Sequence, residues 1–144
     1  MLSIKWNDEK MNLGIDLIDK QHKELLNLIN NIMYSIENNN QIEDIEKIVE
    51  KVLDYAKYHF RTEENLFTKY NLDTDDINRH KKEHKDFVDK AKNIYSDLNN
   101  DKSIKNNYGI EILTDLYNYL TRWLVHHIIN EDKKIFKIKE NLHD

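Results

Sequence analysis

Apolar residues recur along this chain in steps of three and four, and the pattern breaks three times. That period belongs to helices with one buried face. Residues 1–16 form an arm carrying Trp6 and Gly14, with Asp16 as the cap that ends it. The first helix spans 17–37 and turns Ile18, His22, Leu25, Ile29, Ile32, Met33 and Ile36 inward. The Asn run 38–40 makes a turn, and Asn40 with Glu43 resembles a capping box. The second helix spans 41–70, with Ile42, Ile45, Val49, Val52, Ala56, His59, Glu63, Leu66 and Tyr70 on one face. After a turn at 71–73, capped by Asp73 or Thr74, the third helix spans 75–98 on Ile77, His80, His84, Phe87, Ala91, Ile94 and Leu98. The polar stretch 99–107 is the third loop. The fourth helix spans 108–138, with Leu113, Leu116, Leu120, Trp123, Leu124, His127 and Ile135 inward. No segment alternates with period two. Four amphipathic helices on short loops predict an all-α fold, an antiparallel up-down-up-down four-helix bundle with an N-terminal arm, in one domain over 1–144.

Composition narrows the chemistry. With 22 basic and 27 acidic residues the net charge is −5, which gives no basic stripe for nucleic acid. The absence of cysteine removes disulfides, zinc–thiolate sites and thiol nucleophiles. The start of the chain is charged where a signal peptide is apolar, and no apolar run reaches the ~18 residues of a membrane span. A cytoplasmic, monomeric protein is the expectation. No proline and only two glycines leave the helices uninterrupted.

The inward faces carry residues that hydrophobic packing does not need. In an up-down-up-down bundle, His22 near the start of the first helix, His59 and Glu63 near the end of the second, His80 and His84 near the start of the third, and His127 with Asp132 near the end of the fourth all share one end. Each spacing alone is unremarkable, and a lone inward histidine is more often a satisfied core residue. Five imidazoles and two carboxylates in one apolar layer are another matter, because each buried polar group needs a partner. A metal site supplies one. Residues four apart share a helix face, as His59–Glu63 and His80–His84 do. From His127 the residue one turn on is Glu131, whereas Asp132 lies roughly 140° away on an ideal helix, so spacing favours Glu131 and leaves Asp132 open. Leu120 and Leu124 select His127 over its neighbour His126, which reads as surface-facing beside Arg122 and Asn130.

The stretches Gly14-Ile15 through Ile18-Asp19-Lys20-Gln21-His22, HFRTEE at 59–64, HKKEH at 80–84 and WLVHHIINED at 123–132 resemble the hemerythrins, most closely the single-domain bacterial ones. The resemblance implies two iron ions, cycling between Fe2+ and Fe3+, joined by a hydroxo or oxo group and two carboxylates. It implies His22 and His59 on one iron and His80, His84 and His127 on the other, with Glu63 and Asp132 bridging. It is the family pattern that selects Asp132 over Glu131.

On that pattern, octahedral iron is filled on the three-histidine side and keeps one position free on the other. Reversible dioxygen binding there, for transport, storage or supply, is the implied activity, and no enzyme chemistry is expected. The predominance of imidazole over carboxylate fits binding better than substrate oxidation, for which ferritin-like sites use carboxylate-rich sets. Leu124 is the best candidate to shape the dioxygen pocket, with Trp123, Ile18 and Leu25 as further lining. The competing readings are an oxygen or redox sensor, a di-iron enzyme acting on peroxide or nitric oxide, and a structural bundle holding zinc. The tail lysines 133, 134, 137 and 139 and His143 read as solvated.

Overall fold

A computed structural model describes residues 4–70, 72–100 and 107–132, with the side chains of 97–100 and of 107 and 108 left aside. Ile135, the tail lysines, His143 and the inward placement of Leu98 therefore lie outside the described residues. Four long helices account for most of the rest: α2 (Asp16–Glu37), α3 (Ile42–Lys69), α4 (Thr74–Asn100) and α5 (Asn107–His126). Each packs on its neighbours in sequence, and α5 closes the ring on α2. The antiparallel four-helix bundle expected from the periodicity is what forms.

Two elements are new. The arm contains one helical turn, α1 (Asp8–Met11), capped by the Asn7 side chain, which accepts from the Lys10 N–H. The fourth long helix changes pitch at its end, where His127–Asp132 is π-helical.

The expected caps hold at one helix of three. Asp73 Oδ1 accepts from the Asp75 N–H at 2.9 Å, just before α4. Neither Asp16 nor Asn40 caps its helix: the N-cap positions fall to Ile15 and Gln41, and neither makes a side-chain cap bond. Asp19 supplies the carboxylate that secures the junction of the arm with α2. It lies one turn inside α2, and its carboxylate turns back to accept from the N–H groups of Leu13 (2.7 Å) and Gly14 (3.0 Å). Gly14 has φ +83°, a left-handed conformation that suits glycine, and this lets the arm enter α2 at that angle.

The predicted stripes form the core. Leu25, Ile29, Ile32, Ile45, Val49, Val52, Ala56, Phe87, Ala91, Leu113, Leu116 and Leu120 lose essentially all contact with solvent. In α3 the pattern slips by one residue near the end. Phe67, not Leu66, is fully buried, and Leu66 and Tyr70 are only partly covered. Phe67 and Ile18 anchor a small apolar cluster apart from the main core, together with Leu13, Ile15, Leu72 and Ile77. The arm is tied down through Asn30. Its amide donates to Ile4 O (2.7 Å), and its Oδ1 accepts from Ile4 N (3.3 Å) and from the Tyr117 hydroxyl (3.1 Å). No helix among the described residues is long and apolar enough to cross a membrane.

Candidate metal centre

Between the main core and the small apolar cluster sits a layer of seven polar side chains. His22, His59, Glu63, His80, His84, His127 and Asp132 are each at most 3% exposed. Every one was expected at this end of the bundle, and the structure brings all seven together. They fall into two overlapping groups, one of His22, His59, Glu63 and Asp132, the other of Glu63, His80, His84, His127 and Asp132.

The carboxylates divide their oxygens between these groups. Glu63 Oε1 faces His59 Nε2 and His22 Nε2 (3.2 Å from the latter), whereas Oε2 lies 3.7 Å from both His80 Nε2 and His84 Nε2. Asp132 Oδ2 is 3.1 Å from His22 Nε2, and its Oδ1 meets His80 Nε2 at 2.6 Å and His127 Nε2 at 3.1 Å. All five imidazoles point Nε2 inward.

The change of pitch at His127 explains how Asp132 arrives. On an α-helix Glu131 would share the face of His127. An i→i+5 turn puts residues five apart on one face instead, so Asp132 enters the layer and Glu131 is turned to its outer side. Single-turn π segments are frequent at functional sites.

The outer Nδ1 atoms have their own partners. His59 Nδ1 donates to Gln21 Oε1 at 2.8 Å, and the Gln21 amide reaches Thr62 Oγ1 at 3.4 Å. His127 Nδ1 lies 3.3 Å from Glu83 Oε2, and His84 Nδ1 lies 3.8 Å from Glu64 Oε2. A partner on the far nitrogen fixes which nitrogen keeps its lone pair. Gln21, Glu64 and Glu83 do not stand out in the sequence reading. Their signal is position, one residue from His22, Glu63 and His84 and inside the stretches that carry the resemblance.

Aromatic rings hold the imidazoles, Phe60 and Trp123 from the main core and Phe67 from the small cluster. Phe60 stacks on His84 (centroids 4.0 Å apart, planes within 8°), Trp123 stacks on His127 (4.3 Å), and Phe67 meets His80 edge-on (4.8 Å). Trp123, expected in the lining, thus packs on the three-histidine side. His126 is exposed, as expected, and its Nδ1 accepts from the Asn130 amide at 3.0 Å.

Burial alone would push His22, His59 and His80 toward the neutral form. At His22 and His80 it is outweighed by the hydrogen bonds and charges of Asp132 and Glu63, which raise them to about 9 and about 10. Burial prevails at His59, which is lowered. It opposes ionisation of Glu63 and Asp132, yet His59 and His127 lead the imidazoles that hold both carboxyls below their ordinary range.

The donor set fits metal ions. Buried Glu63 Oε2, Asp132 Oδ2 and His59 Nε2 face only other donor atoms of the layer and make no well-aligned hydrogen bond, which is costly unless a cation takes that place. His84 Nε2 and His127 Nε2 face each other at 3.1 Å, where only one of them can donate.

Fold and layer together define a helical-bundle protein with a buried histidine–carboxylate cluster of the kind that binds cations. Residues 13–138 match the family model described as the hemerythrin HHE cation binding domain. The bacteriohemerythrin of Pseudomonas paraeruginosa is 28% identical over 132 residues, which cover 92% of this chain and 78% of that protein. The bacteriohemerythrin of Clostridium acetobutylicum is 27% identical over 135 residues, covering 90% and 95%. A hemerythrin-like protein of Naegleria gruberi is 27% identical over 128 residues, covering 88% and 87%. The chain belongs to the hemerythrin family.

Proposed function

We propose that the seven residues hold two iron ions and that the pair binds dioxygen reversibly, as a carrier, store or local supply. His22 and His59 serve one ion, and His80, His84 and His127 serve the other. Glu63 and Asp132 bridge. The observation that carries this reading is the division of each carboxylate, one oxygen toward the two-histidine group and the other toward the three-histidine group. Two ions, one on each side, give every carboxylate oxygen a partner.

When bound, the ions would supply reversible electron exchange with dioxygen. The rest is the work of the chain. His22 and His59 provide one imidazole fewer than the opposite side, so an ion held there would have room for a small ligand. Gln21 holds the His59 ring so that Nε2 faces inward. Burial of all seven side chains keeps bulk water away, and Leu124, buried one turn before His127, is the residue we assign to shaping the ligand pocket. Imidazoles outnumber carboxylates five to two, which supports binding over oxidation of a substrate.

Anaerobic reconstitution with iron, followed by dioxygen titration with an optical readout, tests the reading. The expected result is two irons per chain and a colour that develops in air and bleaches under argon. A colourless chain that prefers zinc, or dioxygen consumed without release, would refute it.

A further inference from the structure

A groove between α3 and α4 opens onto the three-histidine side of the layer. It holds about 270 Å³, and its buried floor is His84, Phe60 and Val88. The Phe60 ring stacks on His84 at 4.0 Å. His84 lines the groove on one side and turns Nε2 toward Glu63 on the other. At this point the layer is covered by the thickness of one imidazole.

The rim is basic. Lys57 and Arg61 stand one turn apart on α3, and Lys81 and Lys85 one turn apart on α4. Both acids of the groove are already engaged. Asp89 pairs with Lys85 at 2.6 Å, and Glu64 Oε2 lies 3.8 Å from His84 Nδ1. Among the described residues Arg61 and Lys81 form no ion pair. Lys57 lies against a second cation, Lys92, and that contact holds it below the ordinary lysine range. Unmatched cations are thus gathered over a metal-site histidine in a chain of net charge −5. Such a field attracts and orients an anionic partner.

We propose that this groove is the docking surface for an acidic one-electron carrier protein that returns oxidised iron to Fe2+. This rests on the di-iron reading above. Cations from Lys81 to Lys92 cover roughly 16 Å of α4, a span that suits a protein surface better than a small anion. A carrier seated here is one side chain from the layer. Each docking reduces one Fe3+ to Fe2+ and oxidises the carrier by one electron. Two dockings restore both irons, and an oxo bridge takes one proton from water to become hydroxo. The net charge of the chain does not prevent approach, because at 0.1 M salt fields reach only about 10 Å.

The test mixes reduced plant-type ferredoxin, an acidic iron–sulfur carrier, anaerobically with the iron-loaded chain oxidised to Fe3+. Loss of colour gives the rate, and calorimetry with oxidised ferredoxin gives the affinity. Arg61→Gln/Lys81→Gln is compared with Lys47→Gln/Lys51→Gln, which removes the same charge from exposed positions of α3 outside the groove. The groove variant is expected to bind more weakly and to bleach about tenfold more slowly at low salt, with the difference closing as salt rises. The control should follow wild type. Dithionite, which has no protein surface to dock, should reduce all three at one rate. Equal losses in both double variants would mean that only net charge matters, and would overturn the inference. So would unchanged binding in the groove variant, tight binding without bleaching, or a groove that takes inorganic phosphate or anionic vesicles and ignores ferredoxin. Binding needs no iron, so calorimetry tests the surface whatever metal the chain holds. Two irons per wild-type chain is measured separately, and its failure would count against the di-iron reading instead.

Discussion

Gln21 offers the sharpest test of how the site is held, because it touches one histidine of one group. It is 4% exposed, and its Oε1 accepts from His59 Nδ1 at 2.8 Å. Gln21→Ala removes that acceptor and leaves a fully buried N–H without a partner. An orphaned buried donor costs about 1–3 kcal/mol, equivalent to about 5–150-fold in an equilibrium constant. Removing the outer partner of a metal-bound histidine typically costs about 10–100-fold in affinity, and the two estimates overlap. The loss should fall on the ion held by His22 and His59, because Gln21 makes no contact with His80, His84 or His127. Chelator competition on the loaded chain should resolve one weakened and one unchanged ion, where wild type holds both tightly. Gln21→Glu keeps the acceptor and should retain most of the affinity. If both ions weaken equally in Gln21→Ala, the division into two groups is wrong. If neither weakens, the hydrogen bond does not position His59.

Three further outcomes are expected. In the alanine series at His22, His59, His80, His84 and His127, metal analysis should show loss of the ion on the altered side first, and two ions per chain in all five variants would invalidate the ligand assignment. Leu124→Ala should oxidise faster in air than wild type, followed optically on the iron-loaded chain. Its melting temperature should also fall, because opening a core cavity costs about 2–5 kcal/mol, and an unchanged oxidation rate would remove Leu124 from the pocket. Denaturant titrations of the metal-free chain should show stability falling as pH rises from 6.5 toward 10. His22 and His80 are raised to about 9 and about 10, so their contribution is whole below their ordinary value and disappears as they deprotonate in the folded state. A flat profile over that window would contradict the ion pairs. Below the ordinary carboxylate range stability should fall again, as the depressed Glu63 and Asp132 take up protons.

Much of this centre was legible in the residue pattern. The helical faces placed five histidines and Glu63 on inward stripes, and the alternating direction of the helices put them at one end. What stayed hidden depended on backbone detail or on the far side of a ring. Spacing preferred Glu131 because it assumes α-helical pitch, and nothing in HIINED signals a π turn. The role of Asp19 stayed hidden because capping looks to the residue just before the first turn, whereas Asp19 reaches back from inside α2 to the N–H groups of Leu13 and Gly14 at the left-handed turn. Phe67 replaced Leu66 in the core because both lie close to the stripe, and the larger ring fills the space beside His80. Gln21, Glu64 and Glu83 escaped notice because a polar residue that orients a ligand has no period of its own.

The charges of the layer connect folding to loading. Two buried carboxylates would be ruinous alone, yet in the metal-free chain His22 and His80 keep their protons at neutral pH and offset them. The bundle can therefore close around its site before any ion arrives, with imidazolium in the place of metal. An incoming dication must displace those protons, so uptake should release protons to solvent and tighten as pH rises, opposite to the trend in metal-free stability. Both trends come from the same two histidines. Calorimetry of metal uptake in buffers of different ionisation enthalpy measures the protons directly. Release of none near neutral pH would mean that the imidazoles are already neutral, and the account of how the empty layer tolerates burial would then fail.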